Sequence, residues 1–123
     1  MKLGIVGTGN IAYRHFEEFS KIDGVKIEAV CDINSESLNL FTKKFGDHLR
    51  QYSTVDEMLE KEKSFDGVCN NTPDRFHKEV SLKILEKGIN IFSEKPLAEN
   101  YEDAKILADL AYKQKVINMI NFT

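Results

Sequence analysis

The stretch that most constrains this chain is its first twelve residues, Met1-Lys2-Leu3-Gly4-Ile5-Val6-Gly7-Thr8-Gly9-Asn10-Ile11-Ala12. A short apolar run (Leu3, Ile5, Val6) stops at Gly7-Thr8-Gly9, and a helical pattern begins at once. A strand, a tight glycine turn and a helix N-terminus, in that order, make a cradle for phosphates. Each small residue has a separate task. Gly7 permits the sharp turn, Gly9 lets backbone approach a diphosphate, and Ala12 lets the helix lie close to the strand. Thr8, Asn10 and Ile11 complete the loop, and the positive end of the helix dipole faces the anion. A glycine turn also serves as a plain strand-to-helix corner, so context has to decide. Asp32 ends the next apolar strand about 20 residues past Ala12, where an acid that binds ribose hydroxyls belongs.

The remaining chain alternates the two periodicities. A first helix is predicted over 10–21, with Ala12, Phe16 and Phe19 inward and His15 beside that stripe as a packed or solvated side chain rather than a ligand. Val25-Lys26-Ile27-Glu28-Ala29-Val30-Cys31 reads as a strand entering a covered sheet. Asn34 caps a helix running to Gly46, with Leu38, Phe41 and Phe45 inward. A short strand over 49–52 and a small helix opened by Thr54 and Glu57 follow. A fourth strand over 65–69 leads to Asn70-Asn71-Thr72-Pro73-Asp74, with Pro73 in the first turn of a helix that Gly88 stops. Phe76, Val80, Ile84 and Leu85 form its apolar face. Ile89-Asn90-Ile91-Phe92 is a fifth strand, ending in Ser93-Glu94-Lys95-Pro96. Asn100 and Asp103 cap the last helix, whose stripe is Tyr101, Ala104, Leu107, Ala108 and Ala111, and residues 116–120 form a sixth strand. The pattern predicts an α/β fold: a doubly wound, Rossmann-type parallel sheet of six strands with helices on both faces, one domain over 1–123.

Charge and cysteine usage narrow the classes. A net charge of −3 with scattered lysines argues against a nucleic-acid surface. No apolar run reaches the roughly 18 residues of a membrane span, and Met1-Lys2 leads straight into the first strand, so the expected address is the cytoplasm. The two cysteines, Cys31 and Cys69, fall on strands that flank the first, about 9.6 Å apart by strand spacing. A disulfide needs Cα atoms within about 7 Å. Both read as small buried apolar residues, and no cluster suggests a metal.

In such a sheet ligands bind outside the carboxyl ends of the strands, where strand order reverses. The residues predicted there are 7–11, Asp32, 70–73 and 93–96, a polar set drawn from four separate stretches. Asp32 can accept from both hydroxyls of an adenosine ribose. A 2′-phosphate would meet like charge there, and no arginine follows at 33–36, so NAD is favoured over NADP. Asn71 and Thr72 can contact the nicotinamide-side ribose or its phosphate, or serve only as loop polarity and a helix cap. Lys95 is the one strong catalytic candidate: an ammonium beside the nicotinamide can hydrogen-bond a substrate hydroxyl and favour its deprotonation. Glu94 can orient that lysine or touch the cofactor. Glu-Lys-Pro taken alone is more often a surface turn.

Gly7-Thr8-Gly9-Asn10-Ile11-Ala12, then Thr72-Pro73 with His77 following, then Glu94-Lys95-Pro96, resemble the N-terminal domain of the Gfo/Idh/MocA oxidoreductases, of the glucose–fructose oxidoreductase and inositol dehydrogenase types. The resemblance covers essentially the whole chain. It implies a nicotinamide cofactor on the glycine loop and Asp32, Pro73 and His77 on the cofactor side, and Lys95 acting on a sugar, polyol or cyclitol hydroxyl. A histidine tucked under its helix is the alternative for His77. Members of the family are far longer, with a second α/β domain that supplies the substrate pocket and much of an oligomer interface. The expectation is therefore a cofactor-binding half with no turnover by itself, or a free dinucleotide-binding sensor module. A structural protein with a vestigial site is the third reading. Surfaces meant for a second domain, including a sixth strand carrying Ile117 and Ile120, are expected to drive homo-oligomerisation.

Overall fold

The computed structural model describes residues 1–94 and 100–121. Strands β1 (Lys2–Val6), β2 (Lys26–Cys31), β3 (Arg50–Tyr52), β4 (Gly67–Asn70), β5 (Asn90–Glu94) and β6 (Asn118–Asn121) form one sheet in the order β3-β2-β1-β4-β5-β6. All neighbours are parallel. Between them run helices α1 (Asn10–Ser20), α2 (Ser35–Phe45), α3 (Val55–Lys61), α4 (Asp74–Glu86) and α5 (Tyr101–Gln114). This is the doubly wound sheet that the alternating pattern predicts. The order reverses between β1 and β4, so the crevice lies over those two strands.

Register levels the rim of that crevice. Val6 pairs with Cys31 on one side and Asn70 on the other, and Asn70 pairs with Ser93. The next residue of each strand or loop is Gly7, Asp32, Asn71 and Glu94, so four separate segments deliver these residues to one edge.

The two faces of the sheet carry two cores. Leu3, Ile5, Ile27, Val30 and Cys69 face α1 and α2, which contribute Ala12, Phe16, Leu38 and Phe41. Val6, Ala29, Cys31, Val68 and Ile91 face the other way, against Met58 of α3, Ile84 and Leu85 of α4, and Leu107 and Ala111 of α5. Adjacent strand residues thus go to opposite faces, as a two-residue period requires. Aromatic rings join α1 to α2: Phe16 stacks on Phe45 at 4.1 Å, and Tyr13 meets Phe41 edge-on at 4.9 Å.

Local signals set the ends. Asn34, Thr54 and Asn100 accept from the backbone N–H three residues on, at Ser37, Glu57 and Asp103. Gly88 takes φ +70 after α4. The departures have simple causes. Pro73 stands at the N-cap of α4, one residue earlier than predicted, because its extended ψ of 154° ends the loop rather than starting the helix. β5 extends through Ser93 and Glu94 because both pair with β6. The stripe of α5 is narrower than its apolar pattern: Leu107 and Ala111 are buried, Ala108 is exposed, and Tyr101 is 76% exposed in the first turn. β6 starts at Asn118, which leaves Ile117 just ahead of it and exposed; the side chain of Ile120 lies outside the described residues. Both cysteines are buried and free. Among the described residues no helix is long and apolar enough to cross a membrane.

Phe41 is fully buried, with three aromatic neighbours. Phe41→Ala should lower unfolding free energy by about 3–5 kcal/mol, read from urea or guanidinium midpoints at unchanged m-value.

Candidate dinucleotide site

The glycine loop is fastened on both sides. Gly7 N–H donates to the Cys31 carbonyl at 2.8 Å, and Asn71 N–H donates to the Val6 carbonyl at 2.8 Å. Gly7 has φ +90, and a Cβ there would stand 2.8 Å from the carbonyl carbon of Asn71. Left-handed backbone and a loop packed directly against it both require glycine at this position. Gly9 is different. It is the N-cap of α1 at φ −75, and a Cβ there would meet nothing within 4 Å. α1 also has no side-chain cap and no acid in its first turn, whereas each other helix has at least one acid there. The positive end of the α1 dipole meets no acid from its own first turn.

Asp32 faces this loop. Its Oδ2 accepts from Thr8 N–H at 2.9 Å and from Thr8 Oγ1 at 2.7 Å, while Oδ1 accepts from Asn34 N–H at 2.8 Å. A carboxylate offers about four acceptor positions. One therefore remains, on Oδ1, for a sugar hydroxyl; a second hydroxyl would have to displace Thr8. Thr8 is 2% exposed, so its role is to lock Asp32 to the loop.

From the other side comes Asn70, fully buried at the end of β4. Its Oδ1 accepts from Thr72 N–H and Thr72 Oγ1 at 3.1 and 2.7 Å, and its Nδ2 donates to Ser81 Oγ at 2.9 Å and to the His77 carbonyl at 3.3 Å. That amide shapes the β4–α4 loop from beneath. Asn71, next to it, has a side chain that meets α1. His15 Nδ1 lies 2.9 Å from Asn71 Oδ1, and His15 Nε2 lies 2.8 Å from Glu94 Oε1. The Cys69 thiol donates to the same Asn71 Oδ1 at 3.2 Å. Burial pushes the Cys69 thiol well above its ordinary range. For Cys31, burial first, then Asp32 and Glu57, push it up to about 12. Neither thiol is a nucleophile at neutral pH.

Gly7, Gly9, Asp32, Asn71, Thr72 and Pro73 line one cavity of about 560 Å³. Its wall continues past Ile33, Asn34 and Ser37 to Thr54 and Val55, and across to Arg75, Phe76, Val80 and Lys83. Thr8, Asn10, Ile11, His77 and Glu94 are not among its described walls. Asn10 and Ile11 open α1; His77 is 1% exposed beneath α4; Glu94 is turned to His15. Lys95 and Pro96 lie outside the described residues. Arg75, over the Phe76 ring at 4.8 Å, brings a cation to the cavity that inspection of positions 33–36 could not find. His15, expected beside the stripe of α1 as a packed or solvated side chain, is buried and meets Asn71 and Glu94. Its signal was a polar residue three after Ala12 on the inward stripe of α1. Among the described residues no metal-holding group of His, Cys, Asp and Glu occurs.

A family model described as "Oxidoreductase family, NAD-binding Rossmann fold" matches residues 1–122. The chain belongs to the GFO/IDH/MocA oxidoreductases. Within that family it is 33% identical over 121 residues to glucose-6-phosphate 3-dehydrogenase of Bacillus subtilis, covering 98% of this chain and 33% of the relative. It is 30% identical over 122 residues to inositol 2-dehydrogenase/D-chiro-inositol 3-dehydrogenase of Lacticaseibacillus casei, covering 97% of this chain and 35% of that one. Among solved structures, the WlbA dehydrogenase of Chromobacterium violaceum, in complex with NADH and UDP-GlcNAcA, superposes with a TM-score of 0.90 at 28% identity, over 98% of this chain and 34% of that one. The chain thus spans about a third of the length of the relatives it matches.

Proposed function

We propose that this chain is the cofactor-binding half of an NAD-dependent dehydrogenase acting on a sugar, polyol or cyclitol hydroxyl. Dinucleotide binding belongs to the chain by itself, and turnover to the whole protein, since the relatives' printed activities describe enzymes about three times as long. The observation that carries the reading is Gly9. Nothing in the fold asks for glycine there: φ is ordinary and the space beside Cα is empty. A diphosphate lying against the backbone does ask for it.

In this reading the N–H groups at the start of α1 receive the diphosphate, and Asp32 Oδ1 accepts from one ribose hydroxyl. Thr8 keeps that carboxylate aimed at the loop. The pocket beyond Ile33 and Val55 takes the adenosine end, while Asn71, Thr72 and Pro73 border the other end. The nicotinamide, when bound, carries the hydride. Lys95 donates to the substrate hydroxyl and eases loss of its proton, a role that rests on the family resemblance of Glu94-Lys95-Pro96. His77 shapes the cofactor side from beneath the β4–α4 loop. The relatives named for glucose 6-phosphate and inositols, and the one solved with NADH and a UDP-sugar acid, support this class of substrate and cofactor.

Purified chain should bind NADH saturably, at micromolar to millimolar strength, by fluorescence titration. Gly9→Val should weaken that binding at least tenfold while changing stability by no more than about 1 kcal/mol, because its side chain enters open space. Absence of saturable binding by the unaltered chain would remove the proposal.

Asp32 also carries the choice of NAD over NADP. A 2′-phosphate beside its carboxylate meets like charge at a position already crowded by Thr8 and Asn34. NADH should bind about tenfold tighter than NADPH, and Asp32→Ala should shrink that ratio toward one. Equal affinities in the unaltered chain would contradict the assignment.

Self-association through the β6 edge completes the reading. β6 ends the sheet, and Ile117 just ahead of it and Met119 within it are 62% and 53% exposed. An open strand edge with apolar neighbours pairs readily with a second copy. Sedimentation velocity at rising concentration should show dimer, and Met119→Lys should return the chain to monomer.

A further inference from the structure

We propose that His15 is a positioning residue for the nicotinamide half of the site, clamping the carboxyl ends of β4 and β5 to the helix that opens the diphosphate loop. The proposal rests on the dinucleotide reading above and adds to it a residue outside the cavity wall.

The geometry is a bridge between three segments. His15 sits on the second turn of α1, 7% exposed. Its Nδ1 faces Asn71 Oδ1 at 2.9 Å, just past β4, and its Nε2 faces Glu94 Oε1 at 2.8 Å, at the end of β5. Whichever ring nitrogen carries the proton donates to the oxygen it faces. The ring is held in plane by Phe92, edge-on at 5.3 Å, and by Phe19 at 6.3 Å. An aromatic slot with a polar partner at each end leaves the imidazole one orientation.

Each partner connects onward to the site. Asn71 donates its backbone N–H to the Val6 carbonyl, so its main chain is fixed against β1 and the His15 contact acts on its side chain, at the β4 end of the rim. Its Nδ2 is buried with no hydrogen-bond partner among the described residues. The amide is held through its Oδ1 alone, by His15 at 2.9 Å and the Cys69 thiol at 3.2 Å, and His15 is the closer of the two. Glu94 is followed directly by Lys95 in the chain. Losing His15 would remove one donor from a carboxylate that is only 15% exposed and loosen the hold on the β5 end.

Topology says which half of the ligand feels this. Asp32 ends β2, on one side of β1, and takes the adenosine half; β4 and β5 lie on the other side. Both partners of His15, Asn71 and Glu94, lie on that second side. A loss confined to the nicotinamide half is therefore expected, whereas a general weakening of the fold would reduce binding of both halves together.

The test compares NADH with ADP-ribose, which keeps the adenosine and both phosphates but lacks the nicotinamide, by calorimetric titration of the full chain. His15→Phe retains a ring between Phe19 and Phe92 and removes both nitrogens. It should weaken NADH about tenfold, the order expected for loss of one charge-assisted hydrogen bond, and leave ADP-ribose within twofold. His15→Gln, whose amide reaches as far as Nε2, should recover part of the NADH affinity and none of the difference in ADP-ribose, and it serves where the phenylalanine variant fails to fold by circular dichroism. Unchanged NADH affinity in both variants overturns the proposal. So does an equal loss for NADH and ADP-ribose, or a glutamine variant that folds and binds no better than the phenylalanine one. If the unaltered chain binds neither ligand, the dinucleotide reading itself falls, an outcome distinct from all of these.

Discussion

The contact between Asp32 and Thr8 holds the site together. One carboxylate oxygen accepts both the backbone N–H and the hydroxyl of Thr8, and the other accepts from Asn34. The loop after β1 is thereby tied to the end of β2 and to the start of α2 in a single stroke. A glycine loop is entropically costly to order, because glycine loses more backbone freedom than any other residue. Side-chain hydrogen bonds to a charged group are among the stronger ways to offset that loss. The arrangement also explains why Thr8, flanked by two glycines, is buried: it is the point where the flexible segment is pinned.

Pinning alone would not make a site. Register does the rest. Because Val6 lies level with Cys31 and Asn70, and Asn70 with Ser93, the next residue in each segment arrives at one rim. A slip of one residue in any pairing would turn Asp32 or Asn71 onto the wrong face. The hydrophobic alternation that buries Val30 on one face and Cys31 on the other protects the chemistry as much as it protects the core.

Most of this was legible in the residues. Helix caps at Asn34, Thr54 and Asn100, the stop at Gly88, and the glycine loop with Asp32 are local signals, and each is decided by a few neighbouring atoms. What escaped was decided across the fold. Tyr101 and Ala108 belong to the apolar pattern of α5, yet both are exposed while Leu107 and Ala111 are buried. Arg75 enters the cavity from α4, which no inspection of the loop after β2 reveals. His15 sits at helical spacing from Ala12 and so reads as ordinary packing; that its two nitrogens meet Asn71 and Glu94 depends on two segments, 56 and 79 residues distant from it, converging on α1. Spacing in one helix carries no information about such partners.

Buried polarity then shows where the fold spends stability. Thr8, His15, Asn70, Asn71, His77, Ser81 and Ser93 are buried, and all belong to the carboxyl-end rim or to the side chains that hydrogen-bond it; Thr42, on α2, is the exception among the described residues. Burying a polar group costs free energy unless its partners are in place, so a sheet selected only for stability would fill these positions with Val, Ile or Leu. At the opposite, amino-terminal edge the hydrogen bonds are made by exposed groups, Lys2 N–H to Asp66 Oδ2 and Asn90 Nδ2 to the Asp66 carbonyl among them. Concentrating polar groups on one edge is the signature of a rim that must keep several loop backbones in fixed relation, and the cradle at Gly9 is the feature on that rim that the fold itself does not need. The two facts support each other: a rigid polar frame is worth its desolvation cost only if something has to be held against it.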